Sequence, residues 1–258
     1  MSDHAGGVAR PLNGQVALVT GASRGIGRAV ALRLAALGSD VAVTARDLAA
    51  LAPVVGEIER FGVRGLGVRL DLLDVPSMSG LVAEIEATLG PIDILVNNAG
   101  MQRLRLALDV TEDDWDVVLD TNLRGTFFLA QAVGRGMVAR GRGRIVNVAS
   151  MAAFKANPER AAYNSSKAGV VMLTKTLAVE WGPHGVRVNG VAPTFVETEL
   201  AGVWLNRPGV RERMVAAIPM GRMPTVDEVA GAVAYLVSPD AEAINGVILP
   251  VDGGVSAT

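Results

Sequence analysis

Short apolar runs alternate with helical patterns along almost the whole chain, and this alternation limits the fold more than any other feature. Q-V-A-L-V-T (residues 15–20), D-V-A-V-T-A (40–45), P-I-D-I-L-V-N (91–97), R-I-V-N-V-A (144–149) and V-R-V-N-G-V-A-P (186–193) are each too short for a helix and rich in β-branched residues. Strands that are apolar along their length are buried on both faces, as in parallel sheets. The helical stretches between them supply the crossovers that parallel strands need. An α/β fold with a parallel sheet and helices on both faces is therefore expected. No linker, repeat or low-complexity stretch divides the 258 residues, so residues 12–258 read as a single domain behind a short tail at 1–11.

The first run leads into G-A-S-R-G-I-G and then a helical pattern over 28–37 that ends at Gly38. Glycines between a strand and a helix let the backbone approach a pyrophosphate, and the helix N-terminus favours the anion. The spacing is G-x-x-x-G-x-G, so Gly21, Gly25 and Gly27 lie in the expected turn, with Ser23, Arg24 and Ile26 between them. At the end of the second strand an acid would take a ribose 2′-OH, whereas arginine accommodates a 2′-phosphate. The end here reads Ala45-Arg46-Asp47, and Arg24 adds a second positive charge. NADP(H) is favoured. Asp47 keeps NAD(H) open unless it caps the following helix, where Pro53 fits the first turns and Gly62 the end.

The chemistry is expected at S-M-A-A-F-K-A-N-P-E-R-A-A-Y-N-S-S-K, residues 150–167. Ser150 closes the fifth apolar run, at a strand's carboxyl end, where open α/β sheets bind ligands. Tyr163 and Lys167 are four apart on a helical pattern and share a face. A free phenol has a pKa of about 10, and a neighbouring ammonium lowers it toward the range useful for acid–base work. The plain alternative is two ordinary surface neighbours on a helix.

Other polar residues stand at informative places. Asp71 at the third strand's exit could accept from an adenine amino group or simply make a turn. Asn97 and Asn98 end the fourth strand, where stitching of neighbouring backbone is their expected main task. Asn122 falls in a helical pattern over 111–139 and needs hydrogen-bond partners there. Residues 194–224 are irregular and carry Trp204, Leu205, Met214, Met220 and Met223. They suit a substrate lid or a surface helix pair packed on the core. A helical pattern over 226–237 and a last strand, G-V-I-L-P-V, close the chain.

Composition removes several function classes. There are no cysteines, and His4 and His184 are the only histidines, which argues against a metal site, a disulfide frame and a Cys or His nucleophile. Mean hydropathy is +0.36, yet no apolar run reaches the about 18 residues of a membrane span. The N-terminus lacks an apolar signal core, so a cytoplasmic protein is expected. Net charge is −2, with no general pull toward nucleic acid or anionic lipid. Lysine occurs only at 155, 167 and 175 in a chain otherwise biased to arginine.

T-G-A-S-R-G-I-G (20–27), N-N-A-G (97–100), Asn122, Ser150, Y-N-S-S-K (163–167) and V-D-G-G (251–254), in this order, resemble the short-chain dehydrogenase/reductase family over residues 12–255. The resemblance implies a doubly wound Rossmann fold with a seven-stranded parallel sheet, and a homotetramer or homodimer. It implies catalytic Asn122, Ser150, Tyr163 and Lys167: tyrosine as acid/base, serine on the substrate oxygen, lysine on the nicotinamide ribose, asparagine holding a relay water. Asp71 would then contact adenine, Asn98 the adenosine ribose region, and Pro193, Val196 and Thr198 the nicotinamide end. The family's usual Pro-Gly after the sixth strand is Pro193-Thr194 here. N-N-A-G-M-Q-R-L-R and V-A-S-M-A-A-F are similar to sugar-acid dehydrogenases, in which Arg103 or Arg105 could meet a carboxylate. The same motifs are shared by 3-oxoacyl-carrier-protein reductases. The expected activity is NAD(P)(H)-dependent interconversion of a secondary alcohol and a ketone, on a sugar-acid or polyol substrate. The alternatives are a 3-oxoacyl-thioester reductase, or a dinucleotide-binding sensor or scaffold without turnover. The four filled catalytic positions speak against the last.

Overall fold

The structure is a computed structural model and describes residues 10–258, with the side chains of Leu200, Val203 and Trp204 outside the description. His4 and most of the expected tail therefore lie outside the described residues. Arg10 already joins the domain, its guanidinium donating to the Phe61 carbonyl at 2.9 Å. Leu12 is fully buried.

Seven parallel strands form one sheet: β1 Val16–Thr20, β2 Asp40–Ala45, β3 Gly65–Arg69, β4 Ile92–Asn97, β5 Gly143–Val148, β6 Val186–Pro193 and β7 Ile248–Val251. Their order is β3-β2-β1-β4-β5-β6-β7. The chain winds outward one way from β1 and the other way from β4, so a crevice opens at the carboxyl ends of those two strands.

The helices are α1 Gly25–Ala36, α2 Ala52–Glu59, α3 Met78–Leu89, α4 Glu112–Leu119, α5 Thr126–Arg140, α6 Ala161–Trp181, α7 Glu199–Leu205, α8 Val210–Ala216 and α9 Val226–Val237. Successive strand residues feed opposite faces. Ala17 and Val19 pack with α1, α2 and α9 in one core, while Val16 and Leu18 pack with α3, α5 and α6 in the other. Each fully buried leucine or valine in these layers contributes roughly 1.5–3 kcal/mol. The double layer explains why the strands read as unbroken apolar runs. Helix α9 keeps its expected bounds because Thr225 and Glu228 cap it reciprocally, at 3.2 and 2.8 Å.

Two elements differ from the sequence expectation. Helix α1 begins at Gly25 rather than at 28, so Gly25 and Gly27 belong to its first turn. The pattern over 111–139 is broken at Asp120–Gly125 by a π-helical stretch between α4 and α5. Gly125 sits there against the Leu72 carbonyl, where a Cβ would lie 2.4 Å away. Widened turns of this kind occur frequently at functional sites.

Candidate active site

At the glycine turn the chain comes too close to itself for side chains. A Cβ on Gly27 would lie 2.4 Å from the Gly21 carbonyl oxygen and 2.5 Å from Asn98 Nδ2. A Cβ on Gly21 would lie 2.8 Å from Ala99 Cα. Asn98 explains the crowding: its amide donates to the Thr20 and Gly21 carbonyls at 2.9 and 3.1 Å, tying β4 to the turn after β1. Asn97 donates to Asn147 Oδ1 at 2.9 Å, and Asn147 to Thr174 at 2.9 Å, joining β4, β5 and α6 beneath the crevice. Asn98 stitches backbone as expected, whereas Asn97 ties on to a side chain. The bare turn and the start of α1 leave a surface shaped for a dinucleotide's phosphates.

A cavity of about 200 Å³ runs from Ile26 and Asn98, past Ser150, Tyr163 and Lys167, to Pro193, Val196 and Thr198. Ser150 lies two residues past the end of β5, and its hydroxyl oxygen accepts from the Ala152 N–H at 3.1 Å. Tyr163 lines the same cavity as Ser150. Lys167, one turn on, places Nζ 5.9 Å from the Tyr163 ring centroid and donates to the Val148 carbonyl at 2.7 Å. All three expected residues thus share one wall.

The electrostatics differ from expectation. Burial pushes the Tyr163 phenol above its ordinary 10.0, opposed by the Ser150 hydrogen bond and by the positive charge of Arg160. Arg160 is thus a cation that favours the phenolate. Burial also depresses Lys167, to about 8.

Asn122 stands behind this wall. Its Oδ1 accepts from the Met101 N–H and its Nδ2 donates to the Met101 carbonyl, both at 2.8 Å. Nδ2 also donates to Ser166 Oγ at 3.0 Å, and Ser166 in turn donates to the Tyr163 carbonyl at 2.8 Å. The loop after β4 is thereby clamped to the helix that carries Tyr163.

The remaining expected cofactor residues divide. Ser23, Arg24 and Gly25 form the turn beside the cavity. Arg24 pairs with Glu199 of α7 at 2.8 Å, and a Cβ on Gly25 would meet Thr198 at 3.4 Å. Arg46 is exposed past β2, and Asp47 accepts from the Ala49 N–H at 3.0 Å, opening the turn before α2. Asp71 makes the analogous turn, accepting from the Leu73 N–H at 3.0 Å. Thr194 lines the cavity where the family pattern has glycine.

Arg103 and Arg105 do not reach the cavity wall. Both lean on Asp114 of α4, at 3.9 and 3.3 Å, because three acidic residues in that helix's first turn draw them outward. Sequence reasoning passed over Gln102, Lys155, Asn157 and Arg160, which supply polar lining instead. One signal for Arg160 was present: it precedes Tyr163 by three residues. Residues 194–224 contribute Phe195, Met214 and Ile218 to the lining. Leu205, Val210, Ile218 and Met223 pack with Val255 in a small core of their own. Trp204's side chain lies outside the described residues.

A family profile described as Enoyl-(Acyl carrier protein) reductase matches residues 21–256. The chain belongs to the short-chain dehydrogenase/reductase family. Among its relatives, a D-threitol dehydrogenase of Mycolicibacterium smegmatis is 44% identical over 249 residues, covering 94% of this chain and 93% of that one. A 3-oxoacyl-[acyl-carrier-protein] reductase of Aquifex aeolicus is 41% identical over 245 residues, 95% of this chain and 98% of that one. Among solved members, a gluconate 5-dehydrogenase from Burkholderia cenocepacia J2315, in complex with NADP and tartrate, superposes with a TM-score of 0.92. It is 36% identical, and the match covers 96% of this chain and 97% of that chain.

Proposed function

We propose that this protein is an NAD(P)(H)-dependent oxidoreductase interconverting a secondary alcohol and a ketone, with NADP(H) favoured and a small polyhydroxylated substrate, a sugar acid or polyol. One observation carries the reading: Ser150, Tyr163 and Lys167 face one cavity that runs on to the glycine turn. The names of the threitol and gluconate enzymes support the substrate class, and the bound NADP of the latter supports the cofactor.

When bound, a nicotinamide dinucleotide supplies or accepts the hydride at the carbon that changes oxidation state. The glycine turn and the N-terminus of α1 hold its phosphates, and Arg46 with Arg24 meets a 2′-phosphate. Tyr163, kept protonated near neutral pH by burial, donates its proton to the carbonyl oxygen in reduction. Ser150 hydrogen-bonds that oxygen and stabilises its developing charge. Arg160 stabilises the phenolate left behind. Lys167, which donates to the Val148 carbonyl, binds the nicotinamide ribose in this reading. Asp71 and Asn98 lie along the adenosine side, with Pro193, Val196 and Thr198 at the nicotinamide side. Asn122 holds the geometry by clamping its loop to α6, and residues 194–224 act as the lid. Exposed Trp115, Met172 and Val179 on α4 and α6 suit burial in a homotetramer or homodimer. The protein is cytoplasmic in this reading.

A 3-oxoacyl-thioester reductase is the second reading, favoured by the Aquifex relative's name. The test is a panel of sugar acids, polyols, simple ketones and 3-oxoacyl thioesters, followed by reduced-nicotinamide absorbance with each cofactor. Tyr163→Phe is expected to lower turnover by roughly 10³-fold while cofactor affinity holds. Undiminished turnover in that variant removes Tyr163 from the chemistry. Silence across the whole panel moves the protein toward a sensor.

A further inference from the structure

The cavity wall is electrically one-sided. Lys155, Arg160 and Lys167 line it, and among the described residues no aspartate or glutamate does. Such a pocket favours an anion over its neutral counterpart. Lys167 is engaged at the Val148 carbonyl, and Lys155 is exposed. Arg160 is the cation placed deepest on the substrate side: 5% exposed, one helical turn before Tyr163, with its guanidinium 5.1 Å from the centroid of Phe195, another lining residue.

The backbone is bent to put it there. Glu159 takes φ +64, the only described non-glycine residue in the left-handed region, a costly conformation that persists only where its surroundings impose it. They do: its carbonyl accepts from the Arg105 N–H at 2.9 Å, and its carboxylate pairs with Arg207 between α7 and α8 at 2.5 Å. The acid next to Arg160 in sequence is thus tied to the lid segment. Guanidinium stays charged even when buried, and its planar fork matches a carboxylate bidentately.

We propose that Arg160 is a specificity-determining residue that binds a carboxylate of the substrate, making the substrate class a short hydroxy or keto acid rather than a neutral polyol or a thioester. The assignment rests on the alcohol/ketone reading above and narrows it. Phe195 holds the guanidinium plane in place, and Lys155 adds positive potential at the rim. The reacting carbinol then lies at Ser150 and Tyr163, within a short carbon chain of the acid group.

The test compares D-gluconate with D-sorbitol, which has the same carbon chain without the carboxylate, on NADP-loaded wild type, Arg160→Gln and Arg160→Lys. Affinity is read by calorimetry, and kcat and KM are read separately. Wild type is expected to prefer D-gluconate. Arg160→Gln is expected to lower the D-gluconate-to-D-sorbitol ratio, in affinity and in kcat/KM, by roughly 30-fold or more, whatever it does to the rate common to both substrates, and Arg160→Lys keeps part of the preference. The proposal is overturned where wild type binds both alike, where Arg160→Gln keeps the preference, or where it weakens both equally. If Arg160→Gln does not load NADP, the ratio in Arg160→Lys decides: a fall supports the carboxylate contact and an unchanged ratio overturns it. Discriminating binding without turnover of either probe would leave Arg160's role standing and count against the reaction class instead.

Discussion

At the glycine turn the chain makes room by leaving atoms out, whereas around Tyr163 it keeps charges where charge is costly. Gly21 and Gly27 are surrounded by backbone and by the Asn98 amide, so the turn's shape comes from packing and hydrogen bonds. The other end holds Arg160, Tyr163 and Lys167, each less than a tenth exposed and each shifted by burial. The contrast teaches where stability has been given up. A binding surface for phosphates can coincide with good packing. A proton-transfer site cannot, because it needs ionisable groups in a poorly solvated place.

After Tyr163→Phe, the largest expected effect follows from Lys167. Burial holds its folded-state pKa near 8, against 10.5 for the free side chain. Below about pH 8 both folded and unfolded states carry the proton, and the folded state bears the full cost of burying it, about 3 kcal/mol. Between the two values the folded lysine sheds its proton before the unfolded one does, so stability rises with pH through that window. Lys167→Met is therefore expected to be more stable than wild type near pH 7, to lose that advantage between about pH 8 and 10, and to lose at least roughly 10²-fold in turnover. Urea unfolding of the cofactor-free proteins across that pH range checks it. A stability difference that ignores pH would end the contrast between the two ends.

Next comes the glycine turn. Gly27→Ala presses a methyl group onto the Gly21 carbonyl and the Asn98 amide, neither of which can move without breaking the tie between β1 and β4. A cost of about 1–3 kcal/mol is expected, with a loss of dinucleotide affinity of roughly tenfold or more. Gly231→Ala is the control: its Cβ meets nothing within 4 Å, and in the middle of α9 it gains up to about 1 kcal/mol of helix propensity. Thermal unfolding and cofactor titration of both variants read the difference. Equal behaviour would mean that the turn's tightness is incidental.

The two ends also differ in how well they could be read from sequence. The parallel sheet with helices on both faces, and the sharing of one cavity by Ser150, Tyr163 and Lys167, were legible, because short apolar runs between helical patterns leave few alternatives. The satisfied amides of Asn98 and Asn122 were legible as a need for partners, though not as the partners chosen. Arg160 was hidden for a physical reason. Its position depends on a left-handed Glu159, which no propensity favours, and on contacts to Arg105 and Arg207, which are remote in sequence. For Arg103 and Arg105 the sequence left a carboxylate contact or plain solvation open, because nothing local shows that Asp114 holds them away from the cavity. The widened turn at Asp120–Gly125 was equally silent in the sequence.

The smallest expected effect concerns the rim of the glycine end, where charge returns but stays in water. Arg46 is exposed, and Asp47 is occupied by the Ala49 N–H rather than offered to a ribose. In the function proposed above, Arg46 discriminates between a 2′-phosphate and a 2′-hydroxyl. One solvent-exposed charge-assisted contact contributes on the order of 1–2 kcal/mol, so Arg46→Ala is expected to lower the NADPH-to-NADH affinity ratio about tenfold. The loss shrinks as salt is raised, because screening acts on exposed charges. By the same logic the Arg160 contact, being buried, is far less sensitive to salt. Parallel titrations of Arg46→Ala and Arg160→Gln at low and high ionic strength would thus sort the two arginines by environment, and equal salt dependence would show that the cavity is as wet as the rim.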